Sequence, residues 1–416
     1  MTLRKFTLGA LAALLALVAA VLATDGQSRP AGAAAPGAVS GNIVLAHWAS
    51  SAEETALLKQ VLTAFEKKYP QIKVRRRALD PYPTSMLAQF AARKPPDVFY
   101  VDSNVAPDWI RQGLLEPLNS YVSRSKFSTK AFYPRLLGAF RDSKGETYGF
   151  PKDWSPLAMQ TNTAMLQKAG VQPPTTWATL NSAAAKLRGA VGGGKPICIA
   201  ADWARLLAFV YQNGGSFLNA SRTEATVDSP AVRKATEFYV GLKTRGLAGT
   251  PAELGVGWCG EALGKEKAAI VFEGNWVVPY MAANFPDVRY QNNPMVKNKQ
   301  EGNLAFTVSY SIAKDSKNKQ AAWTLLSYLT GPEGMRIWTS KGLALPSRSD
   351  VKPLAGRTAF LQAAPAARPW QFAPGFADVI TVAGNELSAV FEGKQTIPNM
   401  LEKIQSEAER TLRRGR

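Results

Sequence analysis

The sequence predicts an α/β protein divided into two lobes. Between Asn42 and Val101 the patterns for strand, helix, strand, helix and strand alternate, an order that calls for right-handed crossovers and a parallel sheet. Val98, Phe99, Tyr100 and Val101 form a continuous apolar, β-prone run, as expected of a parallel strand covered on both faces. The chain has 416 residues, whereas one hydrophobic core usually stops growing at about 250 to 300. Two cores are therefore expected.

At the N-terminus, Arg4 and Lys5 precede a charge-free run from Phe6 to Ala23 that ends in Val21-Leu22-Ala23. This is the pattern of a secretory signal peptide. Residues 1–23 are expected to be removed near Ala23 on export, leaving a soluble chain in the periplasm or cell-envelope space. A membrane anchor is the competing reading, because the run approaches the roughly 20 residues that span a bilayer. The small-residue end and the polar tract after it favour cleavage. A Pro/Gly/Ala-rich tail over 24–41 follows, too poor in large apolar residues to bury a core.

The first folded element is a strand over Asn42–Trp48. Leu57, Leu58, Val61, Leu62 and Phe65 then recur at helical spacing, and Pro70 ends that helix. Strands over Ile72–Arg77 and Val98–Val101 flank a helix over Met86–Ala92, and Thr147–Pro151 reads as a short β segment. A second α/β pattern starts with a strand over Leu157–Thr161 and the helix Ala164–Ala169. Helices over Trp177–Leu187, Ala204–Gln212 and Ala231–Thr244 follow, the last behind the start signal Asp228-Ser229-Pro230. Strands are expected over Ile197–Ala200, Ala268–Phe272 and Ser309–Ala313. The chain closes with helices over Lys317–Leu329, Glu333–Thr339, Phe376–Phe391 and Met400–Leu412.

Composition removes several function classes. The formal charge is +19, or +17 once Arg4 and Lys5 leave with the signal, which suits an anionic ligand or surface. The basic residues are dispersed, however, with no Arg-rich helix and no nucleic-acid motif. Cys198 and Cys259 are the only cysteines; in an exported chain they are expected to form one disulfide. They give no metal spacing, His47 is the only histidine, and no Gly-x-Ser-x-Gly elbow is present. Neither a zinc site nor a Ser-His-Asp triad is expected, and the residues call for no cofactor. Gly189 to Lys195 has the glycine and lysine spacing of a phosphate-binding loop, but Pro196 stands where a Ser or Thr is needed. It reads as a flexible connection.

The candidate site lies at strand ends, just outside which ligands bind in open α/β sheets. Asp102 and Ser103 end the Val98–Val101 run. Glu273, Gly274 and Trp276 close the Ala268–Phe272 strand, where glycine permits close backbone approach. Asp202 and Trp203 follow Ile197–Ala200, Asp153 and Trp154 follow Lys152, and Trp48 follows the first strand. Ten tryptophans, several of them beside a polar residue, suit an amphipathic ligand with apolar CH faces and hydroxyl rims. The same carboxylates leave open a secreted glycoside hydrolase in which Asp102 pairs with Glu273 or Asp153. Against it, the chain shows neither eight βα repeats nor an all-β pattern.

These segments occur in an order that resembles a known family. The strand and Trp loop Val44 to Ser51, the run Pro95-Pro96-Asp97-Val98-Phe99-Tyr100-Val101-Asp102, and Gly113-Leu114-Leu115-Glu116-Pro117-Leu118 come first. Ala269-Ile270-Val271-Phe272-Glu273-Gly274-Asn275-Trp276 and the helix entry Ser311 to Trp323 follow. The chain from about Asn42 to Arg410 resembles extracellular solute-binding protein family 1 of ABC importers, the maltose- and trehalose-binding group.

The resemblance implies a two-lobed periplasmic-binding fold of type II with several hinge crossings. The N-terminal lobe would comprise 42–155 plus 309–347, and the C-terminal lobe 156–308 plus 348–416. The protein would be no enzyme. It would capture a mono- or oligosaccharide by hinge closure and deliver it to the permease subunits of an ABC importer, as a monomer that binds no nucleic acid. Asp102 resembles the family's hydroxyl-binding Asp and Trp276 its stacking Trp. Arg348 ends Lys341 to Arg348, which resembles a Lys-Gly-x-x-Pro-x-Arg turn lengthened by one apolar residue. Trp370 is expected to line a further subsite. An anionic variant, a receptor for a glycerophosphodiester or sugar phosphate, would suit the basic charge and Arg348.

Overall fold

A computed structural model describes residues 39–48, 51–370 and 372–414. The signal peptide expected at 1–23 and nearly all of the tail expected at 24–41 lie outside them. The first folded unit runs β1 (Gly41–His47), helix Ala52–Lys68, β2 (Ile72–Ala78), helix Tyr82–Ala91 and β3 (Val98–Asp102). β1 pairs in parallel with both β2 and β3, as the alternation requires. Ser51 starts the first helix by accepting the Glu54 N–H at 3.1 Å. Leu57, Leu58, Val61, Leu62 and Phe65 form its buried face.

A second parallel set consists of β5 (Lys195–Cys198), β6 (Ala248–Gly249) and β7 (Ala268–Gly274), with β5 between the other two. Helices Trp177–Leu187, Trp203–Gln212 and Pro230–Thr244 come from the same stretch of chain. The apparent phosphate loop is the link into β5. A Cβ on Gly194 would come 2.2 Å from the Lys267 carbonyl oxygen, so this glycine serves a close backbone approach.

Two long strands join the parallel sets. β4 (Phe150–Asn162) and β9 (Asn303–Ile312) are antiparallel to each other; β9 also pairs antiparallel with β3, and β4 with β7. The sheet order is β2-β1-β3-β9-β4-β7-β5-β6, with β8 (Tyr290–Asn293) on β4 and β10 (Ala367–Pro369) on β9. The sheet is thus parallel on its wings and antiparallel through its centre. β4 merges the two segments expected at Thr147–Pro151 and Leu157–Thr161. Lys152, Asp153 and Ser155 interrupt the apolar run, yet every residue of the strand is buried. Of the boundaries expected between the lobes, 155/156 and 308/309 fall inside β4 and β9, and 347/348 falls in the loop after the helix Pro332–Thr339.

One apolar cluster includes Phe209, Tyr239, Phe272, Phe376, Leu387 and Leu401, and another gathers Trp154, Leu263, Val271, Met281 and Phe360. The helices Lys319–Leu329 and Pro332–Thr339 pack on Ala52–Lys68. A disulfide joins Cys198 to Cys259, as the sequence led us to expect. Among the described residues no helix is long and apolar enough to cross a membrane.

Candidate functional site

A cavity of about 660 Å³ opens against the central strands, within the roughly 300–1,000 Å³ of small-ligand sites. Phe306 and Val308 of β9 and Asp153 and Ser155 of β4 line its middle. Trp48 after β1 and Asp102 at the end of β3 come from one parallel set, with Trp338 of the helix Pro332–Thr339. Trp276 after β7, Trp258 and Tyr280 come from the other side.

On the first side, a β-bulge in β4 between Pro151 and Asp153 brings Lys152 and Asp153 together at the cavity. Bulges commonly re-aim side chains in this way. Lys152 Nζ donates to Asp153 Oδ2 at 2.5 Å, and the Trp338 indole N–H donates to the same oxygen at 2.6 Å. The ammonium also lies 4.1 Å from the centroid of Trp338 and 4.9 Å from that of Tyr100, a doubly stacked cation. Lys152 is therefore already committed. Trp48 is held edge-on by Tyr82 and Tyr100, at centroid distances of 5.0 and 4.9 Å.

Asp102 has one oxygen occupied. Its Oδ1 accepts the Asn104 N–H at 3.2 Å and, more loosely, the Ser103 hydroxyl, while Oδ2 has no hydrogen-bond partner among the described residues. Burial raises its pKa to about 6, and the negative charge of Asp153 adds to this; the Asn104 and Ser103 hydrogen bonds and Lys152 act in the opposite direction. It is an acceptor short of donors, which a ligand hydroxyl can supply.

On the second side, the indole N–H of Trp276 donates to Glu273 Oε2 at 3.1 Å and its ring meets Phe306 at 5.5 Å. Glu273 is buried and ion-paired to Arg205 at 2.5 Å, and Arg205 in turn pairs with Asp202. Burial pushes the Glu273 carboxyl up, opposed by Arg205 and the Trp276 N–H. Gly274 lies under the indole, since a Cβ there would be 2.2 Å from the Trp276 ring. Trp258 repeats the device over Gly260, where a Cβ would be 2.1 Å from its ring, and it stands edge-on to Tyr280 at 4.7 Å.

Of the residues expected from sequence, Trp48, Asp102, Asp153 and Trp276 line this cavity, and Glu273 and Gly274 support Trp276 from behind. The others are placed elsewhere. Ser103 is buried and donates to the Trp370 carbonyl at 2.7 Å. Trp154 is on the opposite face of β4 from Asp153, its N–H on the Pro346 carbonyl at 3.0 Å. Asp202 caps the helix Trp203–Gln212. Trp203 packs against Phe217 in the core, and Trp370 stands edge-on to Phe372. Arg348, expected to reach the ligand, is instead closed onto Asp350 at 2.7 Å and stacked on Phe132 at 4.8 Å. Its guanidinium is spent on fixing the loop that follows the helix Pro332–Thr339.

The sequence reading missed Trp258, Tyr280, Phe306 and Trp338. Gly257 before Trp258 and the adjacent Cys259 were a usable signal for the first. Trp338 carried none, because its helical spacing is that of an ordinary core residue.

Residues 48–336 match the family of bacterial extracellular solute-binding proteins. Solved structures share the fold over the full length of their own chains. An ABC substrate-binding protein from Listeria monocytogenes, in complex with cycloalternan, superposes with a TM-score of 0.81 at 22% identity, covering 90% of this chain and 99% of that one. A solute-binding protein from Thermotoga lettingae bound to α-D-tagatose gives 0.80 at 22%, covering 90% and 100%. UgpB from Mycobacterium tuberculosis, in complex with glycerophosphocholine, gives 0.80 at 18%, covering 90% and 99%. With a family match over well more than half its length, the chain belongs to the bacterial extracellular solute-binding proteins.

Proposed function

We propose that this protein is the receptor of an ABC importer and that it captures a neutral saccharide in the cavity between Trp48 and Trp276. The carrying observation is the composition of the walls. Indoles at Trp48, Trp258 and Trp276 offer flat apolar faces to sugar CH groups, and Asp102 Oδ2, without a hydrogen-bond partner among the described residues, takes hydroxyl protons in charge-assisted hydrogen bonds.

Charge favours this reading over the anionic one. Among the described residues, Glu53, Glu54, Asp102 and Asp153 line the cavity against one cation, Lys152, which Asp153 already engages. A phosphate about 4 Å from one of these carboxylates would meet roughly 4 kcal/mol of repulsion at an effective dielectric of 20. The overall positive charge lies outside the cavity. The hydrolase reading weakens for a related reason, since Glu273 is tied to Arg205 and Trp276 and is 1% exposed. It serves as a brace for an indole.

Contacts made from both sides only when the cleft is shut would draw the open and closed populations toward closure. The lobes divide at 155/156, 308/309 and 347/348, so the strands β4 and β9 and the link at 347/348 act as hinges. Residues 1–23 serve as the export signal, and the closed monomer is the form that a permease reads. Isothermal titration of the mature chain with neutral sugars and their phosphates tests the reading. Saturable binding of a neutral sugar without turnover supports it; preference for the phosphate, or release of reducing ends from oligosaccharides, overturns it.

A further inference from the structure

The strand β5 begins with a cation, and two more stand beside it. Lys195 lines a pocket of about 290 Å³ together with Arg188, Gly194, Pro196, Arg245 and Gly246. The volume is near the lower end of small-ligand sites, about 300 Å³. Arg188 donates to the Arg245 carbonyl at 2.6 Å and Arg245 to Asn181 Oδ1 at 2.9 Å, both neutral acceptors. Among the described residues none of the three cations is ion-paired. The carboxylate of Glu253, after β6, is taken by Lys243 at 3.0 Å.

Arg188 and Arg245 directly follow the helices Trp177–Leu187 and Pro230–Thr244, and helix C-termini attract cations. That role uses one donor of each guanidinium, out of five. It leaves Lys195 without an explanation, since this residue is at no helix end. The two helix ends bring about half a negative charge each, only a third of the positive charge gathered there. Glycines seat the side chains: a Cβ on Gly249 would be 2.8 Å from Lys195 Cγ, and one on Gly241 3.1 Å from Arg245 Nη1.

We infer that Arg188, Lys195 and Arg245 form a second binding site, which takes a phosphate group. Three cations exceed what one carboxylate neutralises, whereas a phosphate monoester carries close to two negative charges on three acceptor oxygens. The guanidinium forks match those oxygens in pairs and the ammonium adds a point charge. The site comes from three separate elements, so the incomplete Gly-Lys motif ending at Lys195 is not its basis. Lys195 pairs with Ala268 at the start of β7, and Trp276 follows the other end of that strand. Seven residues of strand set the two sites roughly 20 Å apart. Phosphate here does not compete with a ligand in the acid-lined cavity.

The test titrates the mature chain with inorganic phosphate by calorimetry, and in parallel sediments it with vesicles of phosphatidylglycerol or of phosphatidylcholine. Arg188→Gln, Lys195→Met and Trp276→Ala accompany the wild type. Saturable binding of phosphate, or retention on phosphatidylglycerol above phosphatidylcholine, is expected, and Arg188→Gln or Lys195→Met should weaken it by at least about tenfold. Trp276→Ala should leave it intact, while the two charge variants keep wild-type sugar binding and thermal melting. Binding of free phosphate points to a soluble ester as the natural ligand; retention on vesicles alone points to a lipid headgroup. Binding of neither, or binding that survives both charge variants as a general attraction of a basic chain would, overturns the inference and leaves the saccharide receptor standing. Phosphate binding lost only in Trp276→Ala puts the anion in the cavity and overturns both readings.

Discussion

Glu273 and Trp276 are joined by one hydrogen bond, from the indole N–H to Oε2 at 3.1 Å, and that oxygen also carries the ion pair to Arg205 at 2.5 Å. A cavity-lining aromatic is thereby tied through two charges to Asp202, the cap of the helix Trp203–Gln212. The arrangement turns a flexible loop side chain into a fixed platform. It also makes the platform depend on residues that no ligand touches.

Glu273→Gln should therefore act at a distance. Removing one partner of a buried ion pair costs about 3–5 kcal/mol; Asp202 still faces Arg205, so the lower end, about 3 kcal/mol, is expected in urea denaturation. Ligand affinity should fall as well, because Trp276 loses its charged tether. A change in stability below about 0.5 kcal/mol, the scale of an inconsequential surface substitution, would show that the bridge carries no weight.

Gly274→Ala tests the same platform through space. The new methyl would lie 2.2 and 2.3 Å from two carbons of the Trp276 ring, so the indole must leave its seat. Truncating a central contact of this kind typically costs 2 kcal/mol or more, roughly a thirtyfold loss of affinity. Trp276→Ala should weaken binding by a similar factor. Wild-type affinity in Gly274→Ala would remove Trp276 from the site.

Much of this was legible in the sequence, and the failures have one physical cause. The run Val98 to Val101 announced β3 and set Asp102 at its end, and the βαβ alternation gave the first parallel set. Pairing neighbours into candidate sites was the error. Successive side chains in a strand point to opposite faces, so Asp153 reaches the cavity while Trp154 enters the core behind it. Asp102 and Ser103 separate in the same way, and Asp202 caps a helix whose first residue, Trp203, is buried. Phe306, Tyr280 and Trp338 come from three distant elements that only the tertiary fold brings together.

Asp102 should give the site a pH response. Burial raises its pKa to about 6 from an ordinary 3.8, so the folded chain holds the proton more tightly than the unfolded one. Between about pH 3.8 and 6 this group's contribution to stability falls as pH rises, and above pH 6 its charge is a standing cost. Asp102→Asn should then be more stable than wild type at pH 7.5, by about 1–3 kcal/mol, with the gain shrinking toward pH 4. Wild-type affinity for a neutral sugar should drop as pH falls through 6, as the carboxylate loses its charge, and the drop should vanish in Asp102→Asn. Urea melts and titrations at pH 4.5, 6 and 7.5 check both; a gain in stability that does not vary with pH would exclude Asp102 as its source.

The disulfide should matter to the cavity as well as to stability. Cys259 directly follows Trp258, and its bond to Cys198 ties the start of the helix Cys259–Gly264 to the end of β5. Closing a loop between residues 61 apart in sequence is worth about 4 kcal/mol on chain-entropy grounds. At roughly 2 °C per kcal/mol for a large domain, Cys198→Ser with Cys259→Ser should lower the melting temperature by about 8 °C. Trp258 is seated over Gly260 and edge-on to Tyr280, so loosening the helix start should also free one wall of the cavity. Reduction of the wild-type protein should then weaken sugar binding and broaden the tryptophan emission together. A lower melting temperature with unchanged affinity would confine the bond to a structural role.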